Sequence, residues 1–231
     1  MDTANSSTEN GAVLIVGAGP RLGAALARAI GAGTRRVGLI ARSTNTIEEL
    51  ATSLRTEGIS AFGEAVDVSD AAELTDAIDR LSGQTGPFDV AIHNVSVWRE
   101  AGVGTLTAED LLADVAAGAA SLVTIVNAVA PGMMQRGAGT IITTGSGAAD
   151  EPTAGAPSLA VQKAALRVLT RGYAAELKDI GVHCATVTIT GALDSPGFAV
   201  ADIADVYASL VRETTNPREK WRTVVDFTGA H

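Results

Sequence analysis

The chain has 231 residues, a formal net charge of −9 and one cysteine, Cys184. That length suits a single α/β domain. The acidic balance argues against a nucleic-acid or anionic-membrane partner, and a lone cysteine excludes an intrachain disulfide and a cysteine-built metal site, so no metal is expected.

Hydrophobic residues make up 46% of the chain but aromatics only 3%, so the core must be built from Ala, Val, Leu and Ile. Residues 1–10 are polar, lack Lys and Arg, and contain no apolar centre. They read as a disordered tail rather than a signal peptide, with residues 11–231 as one domain. No apolar stretch reaches membrane-spanning length free of charge and glycine breaks. A cytoplasmic protein is expected.

Val13 to Val16 is a short apolar run with the β-branching of a buried parallel strand. Gly17, Gly19 and Gly23 follow, and an Ala/Leu-rich helical pattern begins around Arg21 and Leu22. Strand, glycine turn and helix in this order are the context that makes a glycine motif a dinucleotide site. Gly17 allows the tight turn, Gly19 lets backbone approach a pyrophosphate, and Gly23 lets helix and strand pack closely. The helix N-terminus offers unpaired N–H groups to the phosphates. A glycine turn without a ligand is the competing reading.

Arg36 to Ile40 is a second strand, and Ala41-Arg42-Ser43 follows it. An acidic residue here would bind the ribose 2′-hydroxyl of NAD, whereas an Arg favours the 2′-phosphate of NADP. Arg42, with Ser43 and Thr44 as further donors, points to NADP(H) over NAD(H). Arg21 in the glycine loop also reaches toward phosphate. A solvated surface charge is the alternative for Arg42.

A helix over 46–57 carries Ile47, Leu50 and Leu54 on one face. A third strand over 61–66 ends at Asp67-Val68-Ser69-Asp70, where Ser69 or Asp70 caps a helix running to Leu81. A fourth strand over 87–92 closes at His93-Asn94-Val95-Ser96. Thr107 opens one long helix ending near Gln135. A fifth strand over 140–144 leads into Gly145-Ser146-Gly147. Residues 157–180 form another long helix, 182–189 a β-branched sixth strand, 200–213 a helix and 224–227 a last strand. This alternation gives a doubly wound parallel sheet of the Rossmann type.

Together these landmarks resemble the short-chain dehydrogenase/reductase family, from about Gly11 to Phe227. The resemblance implies a single Rossmann domain with strand order 3-2-1-4-5-6-7, NAD(P) binding, a small-molecule substrate and a homodimer or homotetramer built on the two long helices. Gly17 and Gly23 match the outer glycines of the family's Thr-Gly-x-x-x-Gly-x-Gly loop. Asp67-Val68 matches its adenine-contacting pair, Asn94 the Asn-Asn-Ala-Gly motif, and Ser146 the catalytic serine. Lys163 falls on the lysine of Tyr-x-x-x-Lys, and Gly191 and Ser195 on the Pro-Gly-x-x-x-Thr segment beside the nicotinamide.

The departures concern chemistry. Leu159 stands where the family has its tyrosine, at the family's spacing from Ser146. Gly118 stands where the tetrad Asn is expected, Arg21 replaces the central glycine, Thr190 the Pro and His93 the first Asn. The family's tyrosine gives or takes a proton at the substrate oxygen, its lysine holds the nicotinamide ribose and its serine binds the carbonyl. Leu159 exchanges no proton, so ordinary ketone or alcohol redox is disfavoured. Three readings stay open. Another group, with Ser146 or His93 nearest in sequence, supplies the proton. Alternatively the substrate, an iminium or a conjugated acceptor, needs none in the hydride step. Or the scaffold carries a non-redox isomerase, cyclase or cofactor-binding regulator.

Each candidate also has a plain alternative: a helix-surface lysine for Lys163, turn formers for Ser146 and Asn94, a hydrogen-bonded structural histidine for His93. Trp98 and Arg99 are placed at a substrate mouth, Cys184 in the core, and Tyr173 in packing. The short loop over 190–202 leaves little room for a lid and predicts a pocket that is open or completed by a neighbouring subunit.

Overall fold

The computed structural model describes residues 11–32 and 35–230; the N-terminal tail expected over 1–10 lies outside them. Seven strands form one parallel sheet: β1 (Ala12–Val16), β2 (Val37–Ala41), β3 (Ala61–Ala65), β4 (Phe88–His93), β5 (Gly139–Ser146), β6 (Val182–Ile189) and β7 (Val224–Phe227). Their spatial order is 3-2-1-4-5-6-7, as the resemblance implies. Every pairing is parallel.

The sheet is buried on both faces, which is why its strands read as continuous apolar runs. Alternate residues serve two separate cores. Val13, Ile15, Val90, Ile92, Ile142 and Val187 face a core closed by α1 (Leu22–Gly31), α2 (Thr44–Thr56) and α7 (Val200–Glu213). Leu14, Val16, Ala91, Ile141 and Cys184 face a second core, closed by α3 (Ala71–Thr85), α5 (Ser121–Arg136) and α6 (Pro157–Leu177).

Local chemistry sets the helix ends. The Asp70 carboxylate accepts from the Ala72 and Glu73 N–H groups at 2.9 and 3.0 Å, so Asp70 rather than Ser69 caps α3. Gly137, at φ 66°, ends α5 in the left-handed region that glycine tolerates. Pro157 begins α6, where its missing N–H costs nothing.

The long helix expected from Thr107 is three pieces. Thr107 and Asp110 form a capping box at the start of α4 (Ala108–Val115), a π-helical turn covers Ala116–Ala120, and α5 continues. Such a turn adds a residue to the helical repeat and re-aims the side chains around it. The segment Ala108–Arg136 is long and apolar enough to cross a membrane by length and composition alone, with an 18-residue stretch of mean hydropathy 1.7. It carries Gly118, Gly132 and three acidic residues, and Leu122, Ile125, Val129 and Met133 are buried in the second core.

Candidate active site

The C-terminal strand ends meet in a cleft, the usual ligand position of an open α/β sheet. The glycine loop forms its floor. Gly17 has φ 88°, and a Cβ there would come within 2.5 Å of the Asn94 carbonyl oxygen. A Cβ on Gly23 would lie 2.8 Å from Ala18 Cα. Beside Gly19 nothing stands within 4 Å, and this residue lines cavities on both sides of the loop. The turn, the close packing and the open approach that a dinucleotide needs are therefore all present.

On one side lies a cavity of about 440 Å³, lined among others by Gly17, Gly19, Arg42, Asp67, Val68 and Asn94. Donation from the Ser69 backbone and hydroxyl holds the Asp67 carboxyl below the usual carboxylate range, and the Arg42 charge adds to this. Among the described residues Arg42 makes no ion pair or side-chain hydrogen bond. Its guanidinium is available to a ligand. Ser43 lines neither wall; its hydroxyl accepts from Thr46 N at 3.3 Å and caps α2.

Arg21 is placed differently from its expectation. Its Nε donates to Asp194 at 2.8 Å and its Nη2 to the Leu193 carbonyl, so it ties the glycine loop to the loop after β6. Asp194 itself adopts φ 64°, a conformation that Asp tolerates better than most side chains.

On the other side a cavity of about 360 Å³ is lined by Arg21, Leu22, Gly23, Ser146, Leu159, Lys163 and their neighbours. Lys163 is no surface lysine. It is 3% exposed, and its Nζ donates to the carbonyls of Val95 and Thr144, each at 2.9 Å. Burial lowers its pKa to about 8. Ser146 Oγ accepts from Ala148 N at 3.2 Å, which leaves its O–H free to donate. Leu159 lines the same space, so the wall one helical turn before Lys163 is hydrocarbon.

The loop after β4 is clamped from α6, from the glycine loop and from β5. Next to Lys163, Gln162 is fully buried; its Nε2 donates to Val97 O and its Oε1 accepts from Val97 N, both at 3.1 Å. Asn94 Nδ2 donates to Gly17 O at 2.9 Å. Thr144 donates to Asn94 Oδ1 at 2.8 Å and shares a 2.8 Å bond with the buried Tyr207 hydroxyl. Gln162, Thr144 and Tyr207 were not among the residues singled out in the sequence. The one local signal was a polar Gln beside Lys163 in an apolar stretch.

A third cavity, of about 740 Å³, shares Ser146, Leu159, Ile189 and Gly191 with the second and opens toward Trp98. Gly191 lacks a Cβ because one would meet Phe198 at 2.4 Å. Thr190 uses an N–H that a proline lacks, donating to Phe227 O at 3.1 Å. Ser195 lines none of the three cavities; its hydroxyl donates to Ala192 O.

His93 is removed from the proton question. It is fully buried, its Nε2 lies 2.9 Å from Ser121 Oγ, and burial together with the Lys163 charge pushes its pKa down to about 3. It is the hydrogen-bonded structural histidine of the two readings. Trp98 lines the third cavity, whereas Arg99 folds back on Asp114 and Asp110 at 2.9 Å and lines the first.

The model for the family described as short chain dehydrogenase matches residues 11–201. The chain belongs to the short-chain dehydrogenase/reductase family, a family of NAD(P)-dependent oxidoreductases. The 2,3-dihydro-2,3-dihydroxybenzoate dehydrogenase of Bacillus subtilis (strain 168) is 27% identical over 189 residues, covering 82% of this chain and 70% of that enzyme. The gluconate 5-dehydrogenase of Gluconobacter oxydans (strain 621H) is 24% identical over 224 residues, covering 94% and 84%. A metagenomic short-chain oxidoreductase in complex with NADP superposes with a TM-score of 0.83 at 26% identity, over 95% of this chain and 98% of that one.

Proposed function

We propose that this protein is an NADP(H)-dependent oxidoreductase of the short-chain type that moves hydride to or from a small organic substrate without a proton from the protein. One observation carries the reading: Leu159 faces the cavity that also holds Ser146 and Lys163, so the ribose-holding and substrate-orienting groups are kept while the proton donor is not. The bound nicotinamide supplies or accepts the hydride. Gly17, Gly19, Leu22 and Gly23 would cradle the pyrophosphate, Asp67 and Val68 the adenine, and Asn94 and Gly191 the nicotinamide end, whereas Ser195, turned onto Ala192 O, would take no direct part. Lys163 would hold the ribose, and the free O–H of Ser146 would orient an acceptor oxygen where the substrate carries one.

The choice of NADP(H) rests on Arg42, an unpaired guanidinium among the described residues, in the cavity that also holds Asp67. Ser43 stands beside it. Arg21 supports that choice indirectly, by bracing the glycine loop against Asp194. The substrates that fit are iminium ions and conjugated acceptors. The first already carries its positive charge, and the second delocalises the negative charge that hydride creates. Residues 11–231 work as one domain. The exposed Leu112, Val161 and Val168 on the long helices suit a homodimer or homotetramer of a cytoplasmic enzyme.

The test is NADPH oxidation, followed by loss of its absorbance, against three panels: iminium ions, conjugated enones and simple ketones. Turnover is expected with the first two and not the third. Ketone turnover at the rate of the others would overturn the proposal. NADPH binding with no turnover of any panel would favour the non-redox isomerase, cyclase or regulatory reading.

A further inference from the structure

Resting on the redox reading above, we infer that the third cavity takes the substrate and is built for a cation: an organic iminium ion and the amine to which it is reduced, carried on a ring that lies against Trp98. Three features of the cavity converge on this class. Its charged lining residues are Asp150 and Glu151, and no Lys or Arg lines it. Asp150 is neutralised by a two-pronged bond from Arg167, at 2.7 and 2.8 Å. Glu151 is solvent-exposed and has no ion pair and no side-chain hydrogen bond among the described residues, so a cation entering the cavity meets a hydrated but uncompensated carboxylate. Trp98, 63% exposed at the mouth, offers an indole face that attracts a cation in the same place.

The missing tyrosine then has a chemical reason. When an iminium ion is reduced, its carbon accepts hydride from the reduced nicotinamide. The C=N π pair becomes the lone pair on nitrogen, and no proton enters in that step. In the reverse direction the amine C–H bond breaks and its electron pair leaves as hydride to the oxidised nicotinamide. The nitrogen lone pair forms the C=N bond, and positive charge appears in the cavity that Glu151 lines.

A conjugated carbonyl acceptor fits less well. Hydride addition makes an enolate, whose negative charge would develop in a cavity that carries the Glu151 carboxylate and keeps the Ser146 hydroxyl as a donor but has no tyrosine hydroxyl. Of the two substrate types open to a tyrosine-free site, the wall chemistry selects the cation.

The direction of catalysis follows. A carboxylate that binds a cation stabilises the iminium ground state in reduction and the developing charge in amine oxidation, and only the second speeds the chemical step. Glu151→Gln should therefore show its loss mainly in KM for iminium reduction and mainly in kcat for amine oxidation.

The experiment begins with calorimetric titration of NADPH, which tests the underlying redox reading by itself. The NADP⁺-loaded protein is then titrated with the 2-methylisoquinolinium cation and with isoquinoline at a pH where the latter is neutral. The cation should bind about tenfold more tightly, and Glu151→Gln should weaken it about three- to fivefold while leaving isoquinoline unchanged, as expected of a solvent-exposed charge in a cavity that an aromatic side chain also lines. Added salt should weaken the cation alone. Trp98→Ala should lower cation affinity by a similar factor, and steady-state rates with 2-methyl-3,4-dihydroisoquinolinium and its amine should show the KM and kcat split. Equal affinities for cation and neutral ring, or an unchanged cation affinity in Glu151→Gln, would overturn the inference while NADPH binding leaves the redox reading standing. Failure of NADPH to bind would remove both.

Discussion

Gly118 and Gln162 share one volume: a Cβ on residue 118 would lie 2.0 Å from Gln162 Oε1. The glycine in the π-helical turn admits the buried amide that holds Val97 on both its N–H and C=O. The residue that departs from the family's tetrad and the residue that clamps the loop after β4 are thus two halves of one arrangement.

Restoring the family's asparagine, Gly118→Asn, should therefore destabilise the protein by about 1–3 kcal/mol, the usual cost of overpacking a filled core. Shortening its neighbour in the same chain, Gly118→Asn with Gln162→Ala, should recover part of that loss. Urea unfolding of the four proteins in a double-mutant cycle measures the coupling. Strictly additive effects would show that the two side chains do not compete for the space.

Leu159→Tyr puts a phenol one helical turn before Lys163, in the cavity shared with Ser146. General acid–base catalysis is worth about 10²- to 10⁴-fold. The variant should gain ketone or alcohol turnover of at least about 10²-fold over the parent. Steady-state assays with simple ketones check this. No gain, with NADPH binding intact, would show that Lys163 and Ser146 do not form the usual frame.

Arg42→Asp should shift preference toward NAD(H), lowering NADPH affinity by about 10- to 100-fold, the worth of charge-assisted hydrogen bonds to a phosphate. Asp67 lies close enough for Arg42 to act on its charge, so the reversed side chain also adds repulsion on that wall. Fluorescence titration of both cofactors reads the ratio. An unmoved ratio would mean that another residue recognises the 2′-phosphate.

His93 predicts an acid limb. Its pKa falls from 6.5 to about 3 on folding, by burial first and then by the Lys163 charge. Between those values the unfolded chain holds a proton that the folded one does not. Stability is therefore full above about pH 6.5 and falls as pH drops toward 3. At about 1.4 kcal/mol per unit, the loss reaches a few kcal/mol. His93→Gln, which keeps a polar partner for Ser121, should flatten that limb in unfolding experiments from pH 7 to about pH 4. Parallel profiles for parent and variant would contradict the assignment.

Much of the frame was legible because its signals are local. β1 is an uninterrupted apolar run, Gly17 and Gly23 sit where backbone leaves no room, and Asp70 caps α3 two and three residues ahead of the N–H groups that it satisfies. Lys163, Ser146 and Leu159 do share a cavity. What escaped are contacts between residues far apart in the chain. Arg21 reads as a phosphate ligand until Asp194, 173 residues later, is seen beside it. Gly118 reads as a missing tetrad residue until Gln162 is seen filling its place. Thr144 and Tyr207 carry no motif at all; only the packing of α7 against the sheet brings their hydroxyls to 2.8 Å. The break of the long helix at Ala116–Ala120 is likewise a tertiary event, since its alanines favour an ordinary helix.

The most direct measurement is a titration of the purified protein with NADPH and, separately, NADH, following cofactor fluorescence. The account predicts tight NADPH binding and weak NADH binding, because the glycine loop is open at Gly19 and Arg42 is unpaired in the adjoining cavity. Equal affinities would contradict the role of Arg42. Silence with both, and with their oxidised forms, would contradict the nucleotide site itself.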